Sequence, residues 1–131
     1  MNTDRLLKLA DFLDTVPVKK FDLSHWIGWD ELDFETRPPT LDDLEHNCHT
    51  TACAIGWACT IPEFQDAGLV LDDGEPFFDG HWDTQAAANF FDIEYLEASH
   101  LFYSSAYRGN NRTRPSTVAK RIRKLVSDGH S

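Results

Sequence analysis

The chain has 131 residues, of which 41% are hydrophobic and 26% are charged, and its formal net charge at pH 7 is −10. This composition is that of an ordinary globular domain, and the length is enough for one hydrophobic core. No apolar run approaches the ~20 residues needed to cross a bilayer, no signal peptide is visible and the cysteine count is odd, so we expect one cytosolic domain spanning residues 1–131.

The first predicted element is a helix that runs from Asp4 to about Val16. Thr3 is a suitable N-cap and Pro17 ends the pattern. Its apolar side chains recur at helical spacing and form one stripe, which consists of Leu6, Leu7, Leu9, Ala10, Leu13 and Val16. Residues 18–29 are compatible with a short strand or with a helical turn.

Residues 30–45 are rich in acids and are interrupted by Pro38 and Pro39. This pattern is typical of a surface loop, with room for one helical turn near Leu41 to Leu44 that Thr40 caps. We expect the acidic pair Asp42–Asp43 to be solvated.

The central stretch, residues 48–59, contains all three cysteines and a run of small residues. We predict a helix from about Thr50 to Thr60, capped by Thr50 or Thr51. After Thr51 it has almost no polar face, so it should be buried on every side. Gly56 costs up to about 1 kcal/mol in a helix interior, which makes sense if a neighbouring segment packs closely against it.

The second half of the chain predicts a hairpin and further helices. A short helix from Pro62 to Ala67 should end at Gly68. Residues 69–78, with a turn at 72–76, predict a β-hairpin, and we expect its pair Asp72–Asp73 to be solvated. The next helix is capped by Asp83 or Thr84 and runs through Phe91.

Two more helices complete the pattern. One begins at Asp92 or Glu94 and offers several side chains to the core, namely Tyr95, Leu96, Leu101, Phe102 and Tyr103. The last begins near Pro115 and is stopped by Gly129, and its inward stripe comprises Val118, Ala119, Ile122, Leu125 and Val126. The predicted fold is mainly α, a small helical bundle around a buried central helix, with one short β-hairpin.

The central stretch also carries a resemblance. Its spacing, Cys48-x-Thr50-x-x-Cys53-Ala54-x-Gly56-Trp57-Ala58, resembles a C-x-T-x-x-C-x-x-G-[WH]-A core found in short bacterial and bacteriophage proteins of unassigned function. The Val16-Pro17 segment and the late Val-Ala-x-Arg-Ile helix are similar as well. The resemblance implies a bacterial or phage origin and no particular activity.

One interpretation of the central stretch is a metal site. Cys48, His49 and Cys53, with Cys59 and His46 or His81 nearby, supply the thiolate and imidazole ligands that zinc prefers. No second Cys/His pair follows the C-x4-C pair at zinc-finger distance. The spacing alone therefore does not predict a complete set of four ligands.

A second interpretation is a nucleophilic thiol. Cys48 or Cys53 at a helix N-terminus would have its pKa lowered by the helix dipole, and His81 or His100 would serve as the base. The third interpretation is packing, because free cysteines are among the most buried residues.

The absence of nucleotide-binding and serine-hydrolase motifs favours binding over catalysis.

From Arg108 onward the chain has seven basic residues and one acidic residue, a net charge of +6, which leaves −16 on residues 1–107. We expect the basic helix to dock on its own acidic body, and the body to bind a protein through Asp30, Glu31, Asp42 and Asp43. A phage protein of this kind would occupy a nucleic-acid-binding site on a host factor. Nucleic acid is the alternative partner, contacted through Arg112, Arg114, Arg121 and Lys124.

Overall fold

A computed structural model of the protein describes residues 1–29, 40–46 and 50–129. These residues form seven α-helices and five short strands, which confirms a mainly α chain. The helices are α1 (Thr3–Leu13), α2 (Leu41–His46), α3 (Ala54–Ala58), α4 (Pro62–Asp66), α5 (Asp83–Phe91), α6 (Tyr95–Phe102) and α7 (Pro115–Gly129). The strands are β1 (Gly28–Trp29), β2 (Thr50–Thr51), β3 (Val70–Asp72), β4 (Glu75–Phe78) and β5 (His81–Trp82). No helix within the described ranges combines the length and apolar character that a membrane span requires.

Helix α1 is shorter than predicted and has a different cap. Asn2 is the N-cap, and its Oδ1 accepts the backbone N–H of Arg5 at 3.1 Å, so Thr3 is the first helical residue. The helix ends at Leu13, before Val16 and Pro17. Its buried side chains belong to the predicted stripe and are Leu6, Leu9, Ala10 and Leu13.

Thr40 caps α2 as predicted. Its Oγ1 accepts the N–H of Asp43 at 3.2 Å, and the Asp43 carboxylate accepts the N–H and the hydroxyl of Thr40 at 2.8 and 2.9 Å. Asp43 is therefore buried within a reciprocal cap, and the expectation that it is solvated is wrong. The preceding loop at 30–39 lies outside the described residues.

The first turn of the predicted central helix is a strand instead. Strand β2 pairs antiparallel with β1, and Ala52 and Cys53 donate their N–H groups to the carbonyls of Lys20 and His25. Because these backbone groups are already paired with the earlier segment, Thr50 and Thr51 do not cap a helix. Helix α3 begins at Ala54, and all five of its residues are buried, as the sequence predicts.

The predicted helix at 62–67 and the hairpin are both present. Helix α4 starts at Pro62, and Gly68 follows its C-cap, with N–H groups of residues 68 and 69 closing onto the last turn. The hairpin is extended by an additional strand, so β3, β4 and β5 form an antiparallel meander. Asp73-Gly74 and Asp79-Gly80 make the two turns, each with both residues at positive φ. Such pairs favour the turn type that matches the twist of two strands.

Helix α5 ends at Phe91 as predicted, but its N-cap is Trp82, and α6 begins after its N-cap Glu94, one of the two predicted positions. Asp83 is the first residue of α5, with φ +57°, and Asp92, with φ +54°, ends α5. Glu94 caps α6 in a capping box with Glu97. The buried residues of α6 are Ala98, Leu101 and Phe102.

Three residues that were expected in the core are exposed. Leu96 is 80% exposed because it lies on the side of α6 opposite Leu101, and Tyr95 and Tyr103 are 45% and 37% exposed at the two ends of the helix. Their phenol oxygens lie 2.8 Å apart, so the two rings meet at the surface instead of entering the core.

Helix α7 lies along α1 and buries Val118, Ala119, Ile122 and Val126. Arg123 forms ion pairs with Asp11 at 2.9 Å and Asp14 at 2.7 Å. The predicted docking of the basic helix on the acidic body is confirmed for this residue.

Candidate functional site

A cleft of about 540 Å³ opens beside the N-terminus of α3. We call it the α3 cleft. Leu23, Ile27 and Phe102 give it apolar walls, and the polar groups come from three serines, Glu75 and Tyr103. The complete lining consists of residues 23–27, Cys53, residues 74–75 and residues 102–105.

The near wall of the cleft is held by local hydrogen bonds. Asp22 Oδ1 accepts the N–H and the hydroxyl of Ser24 at 2.8 and 2.6 Å. The His25 carbonyl accepts the N–H of Cys53 at 3.1 Å, and His25 Nε2 lies 2.6 Å from Thr51 Oγ1. The wall is therefore fixed to β2 and α3 before any ligand arrives.

The two described cysteines are buried and protonated. Cys53 is the N-cap residue of α3, yet burial raises the pKa of its thiol to about 11. Burial likewise raises the pKa of Cys59 to about 12. The expectation that a helix N-terminus lowers the pKa of Cys53 is wrong, because desolvation of the thiolate outweighs the N–H groups of a five-residue helix.

The other predicted site residues do not join Cys53 in one described cluster. His81 is exposed on β5, and no described hydrogen bond links it to Cys53. Cys48 and His49 lie outside the described residues. Within the described ranges, no three His, Cys, Asp or Glu side chains converge as metal ligands.

A second feature is a group of three exposed aromatic side chains around the start of α5: Trp82 precedes this helix, and the phenol oxygens of Tyr95 and Tyr103 are linked by hydrogen bonds to Thr84 in its first turn. Trp82, Tyr95 and Tyr103 are 42%, 45% and 37% exposed, and we call them the aromatic patch. Trp82 packs on Phe77 with ring centroids 4.8 Å apart, which fixes its ring on the sheet. Because Tyr103 also lines the α3 cleft, the patch and the cleft share this residue.

A polar group connects the patch to α5. Thr84 Oγ1 donates to the Tyr103 phenol oxygen at 3.1 Å, and this bond, followed by that of Tyr95, lowers the pKa of Tyr103. Hydrogen bonding to Tyr103 raises the pKa of Tyr95. The Tyr103 oxygen thus lies at the centre of a short hydroxyl chain.

Asp83 is the least satisfied residue at this site. Its Oδ1 is buried and accepts no hydrogen bond from the residues that the structure describes, and desolvation raises the pKa of its carboxyl group. Its φ of +57° is a conformation that only short polar residues and glycine adopt readily. A buried carboxylate oxygen without a hydrogen-bond donor, in a group whose pKa is raised, is typical of functional sites.

Sequence reasoning missed the aromatic patch because it assigned Tyr95 and Tyr103 to the core. The available signal was Glu94 with Glu97, a capping box that places Tyr95 in the first turn of α6. Trp82 follows Asp79-Gly80, the same turn pair as Asp73-Gly74, and that repetition marks a further strand.

Comparisons with protein-family models, with curated proteins and with solved structures give no match to this chain.

Proposed function

We propose that the chain is a non-catalytic binding protein whose partner is another protein with a lysine- and arginine-rich segment. The segment docks on the aromatic patch, and one of its long basic side chains enters the α3 cleft. The proposed setting is the cytoplasm of a bacterium, with the chain encoded by the bacterium or by a phage, and the proposed scaffold is a small helical bundle around α3.

The aromatic patch carries this proposal. Tyrosine and tryptophan are enriched in the centres of protein interfaces, where they supply large contact areas at a small entropic cost. Each of the three rings exposes more than a third of its surface, and Trp82 is already held by Phe77. Little ordering energy would be lost on binding.

The charge around the patch selects a basic partner. Residues 1–107 carry a net charge of −16, and the exposed acids Asp72, Asp73 and Glu75 lie on the sheet that holds Trp82. Lysine and arginine also interact favourably with aromatic faces, most strongly with tryptophan. Asp83, a partly exposed acidic residue that precedes Thr84, adds to the acidic character at the edge of the patch. A nucleic-acid-binding protein would offer a surface of this chemistry.

The α3 cleft suits the side chain of such a segment. Its apolar walls fit the methylene stem of a lysine or arginine, while Glu75 and the Tyr103 phenol oxygen supply acceptors for the charged end. A nucleophilic role for Cys53 has less support, since a buried and protonated thiol is a weak nucleophile.

A titration with a peptide tests this proposal. The probe is a 12-residue peptide of lysine, arginine and glycine, followed by calorimetry and by ¹H–¹⁵N spectra of the full chain. We expect shifts at Trp82, Tyr95 and Tyr103, and at least tenfold weaker binding in the W82A/Y95A variant, which corresponds to about 1.4 kcal/mol. An acidic peptide of the same length should not bind.

The matched control is the L7A/V18A variant, which removes two apolar side chains that are 36% and 55% exposed elsewhere. It should bind the basic peptide like the wild type. Equal weakening by both double variants, or shifts confined to other acidic segments, would contradict docking at the patch.

A further inference from the structure

The basic residues at the C-terminal end divide into two groups. Two of the seven form contacts with other parts of the folded chain. Arg121 lies over the Tyr107 ring at 3.8 Å and donates to the carbonyls of His100 and Ala106, and Arg123 pairs with Asp11 and Asp14.

The other five basic side chains are exposed and form no hydrogen bond or ion pair with any residue that the structure describes. They are Arg108, Arg112, Arg114, Lys120 and Lys124. We call them the basic stripe. The ion pairs of Arg123 with α1 therefore leave most of the positive charge of this segment unneutralised. The whole chain, in contrast, has a net charge of −10.

Four of the five residues of the basic stripe lie on α7 or shortly before its start. Lys120 and Lys124 are four residues apart and share the exposed side of α7, while Arg112 and Arg114 precede its first turn, where the helix dipole is positive. From Arg114 to Lys124 the helix rises about 15 Å, which corresponds to about four nucleotide steps of ~3.4 Å.

Residues 108–114, which we call the arginine loop, lie at one end of the stripe, and backbone hydrogen bonds hold this loop. The N–H groups of residues 110, 112 and 113 donate to the carbonyls of Tyr107, Gly109 and Asn110 at 2.9–3.2 Å. Tyr107 is itself anchored, because its hydroxyl donates to the Leu101 carbonyl at 2.6 Å and Arg121 covers its ring. The backbone of this loop is thus ordered before any ligand binds.

We propose that the basic stripe binds the sugar–phosphate backbone of a nucleic acid without sequence preference. Phosphate contacts are made by arginine, lysine, serine and threonine side chains, and the exposed side of α7 offers Ser116, Thr117 and Ser127 beside its lysines. None of the exposed large apolar residues that the structure describes belongs to α7 itself, and Leu96 of α6, 80% exposed, lines a cleft beside Lys124. The acidic body repels the polyanion elsewhere, so the stripe alone makes contact. This proposal is independent of the peptide-binding function.

The structure also changes the set of residues that the sequence suggested for nucleic acid. Arg121 leaves the set because it is bound to Tyr107 and two carbonyls, and Lys120 and Arg108 join it. Arg121 is a positioning residue for the loop.

Fluorescence anisotropy of labelled 20-nucleotide single strands and 20-base-pair duplexes, from 20 to 200 mM NaCl, tests the proposal. With up to five phosphate contacts, affinity for the duplex should fall by roughly 10²- to 10³-fold between 50 and 200 mM salt. In the K120Q/K124Q variant, binding at 50 mM should be at least tenfold weaker, and the slope of log affinity against log salt should be smaller by about 2.

The K8Q/K19Q variant removes the same charge away from the stripe and should bind like the wild type. The absence of any anisotropy change at 20 mM NaCl overturns the proposal, and so does equal weakening by both double variants. Binding to phosphatidylserine vesicles without binding to either oligonucleotide would also overturn it, in favour of a lipid surface.

Discussion

Cys53 and Cys59 show how the surroundings of a residue override its position in a helix. Cys53 stands at an N-cap, where a thiolate is normally favoured, but it is only 2% exposed and its pKa rises. Cys59 has no exposed surface and its pKa rises further. Both thiols therefore act as small apolar groups in the core at neutral pH.

We expect these thiols to make stability fall above pH 9. Their pKa values of about 11 and 12 in the folded protein exceed the ordinary value of 9.0. The folded state thus keeps protons that the unfolded state releases. Stabilisation is complete below pH 9 and is lost as pH rises towards the folded values, at about 1.4 kcal/mol per pH unit for each thiol.

Urea unfolding at pH 7, 9 and 10 under reducing conditions measures this decline. The C59A variant should be less stable at pH 7, because it leaves a small cavity, but its stability should fall less steeply between pH 9 and 10. Equal slopes in the two proteins would contradict the assignment to Cys59.

At the scale of elements, α3 depends on a close approach to the segment before β1. A Cβ on Gly56 would lie 1.8 Å from the Trp26 carbonyl oxygen and 2.8 Å from the Ala52 Cβ. The backbone at Trp26 cannot withdraw easily, because the neighbouring His25 carbonyl accepts the N–H of Cys53. Only glycine allows this contact, as its position in a helix interior suggested.

We expect the G56A variant to lose about 2 kcal/mol of stability or more. Alanine gains up to about 1 kcal/mol in helix propensity, but the clash with a backbone carbonyl costs more than that gain. Thermal or urea unfolding measures the difference. The G74N variant is the control, since Gly74 has open space around it and asparagine tolerates its φ of +80°. A stabilised G56A protein would show that the two segments separate easily.

The sequence predicted elements well where the signals are local. Helix α4, with Pro62 and Gly68 at its ends, the first turn of the meander and the Thr40 cap all depend on residues within a few positions of each other. The prediction that a helix begins at Thr50 or Thr51 was wrong, because these residues form a strand that exists only through pairing with residues 28–29, more than twenty positions earlier. Periodicity alone does not reveal such a partner.

The candidate site was harder to predict than the fold. The resemblance and the cysteine spacing drew attention to residues 48–59, of which the described part is packed core. The aromatic patch depends on Tyr95 and Tyr103, which lie at the two ends of α6 and whose phenol oxygens meet. Asp83 stands out only through its φ and its unpartnered oxygen. Neither property is visible in residue types.

At the scale of the whole molecule, the pairing of α1 with α7 joins the two ends of the described chain. Both ion pairs of Arg123 lie at the surface, with the arginine 37% exposed, whereas Ile122 next to it is completely buried. Exposed ion pairs typically contribute 0 to ~1 kcal/mol, and a buried isoleucine contributes several times more. Apolar contact therefore contributes more than the ion pairs to holding α7 in place.

We expect the I122A variant to lose about 3 kcal/mol and the R123A variant less than about 1 kcal/mol. Urea unfolding at 50 mM and 500 mM NaCl measures both losses. The difference between R123A and the wild type should shrink at high salt, since screening weakens exposed charge pairs. A larger loss for R123A than for I122A would mean that the acidic body holds the helix by charge.

The same pairing has a consequence for synthesis on the ribosome. Helix α1, with its buried stripe of Leu6, Leu9 and Leu13, is made first, yet its main packing partner, α7, begins more than a hundred residues later. Until α7 emerges from the exit tunnel, the nascent chain exposes that leucine stripe. During this interval we expect chaperones that bind apolar helices to bind the nascent chain. A ribosome stalled before Pro115 would yield a product prone to aggregation.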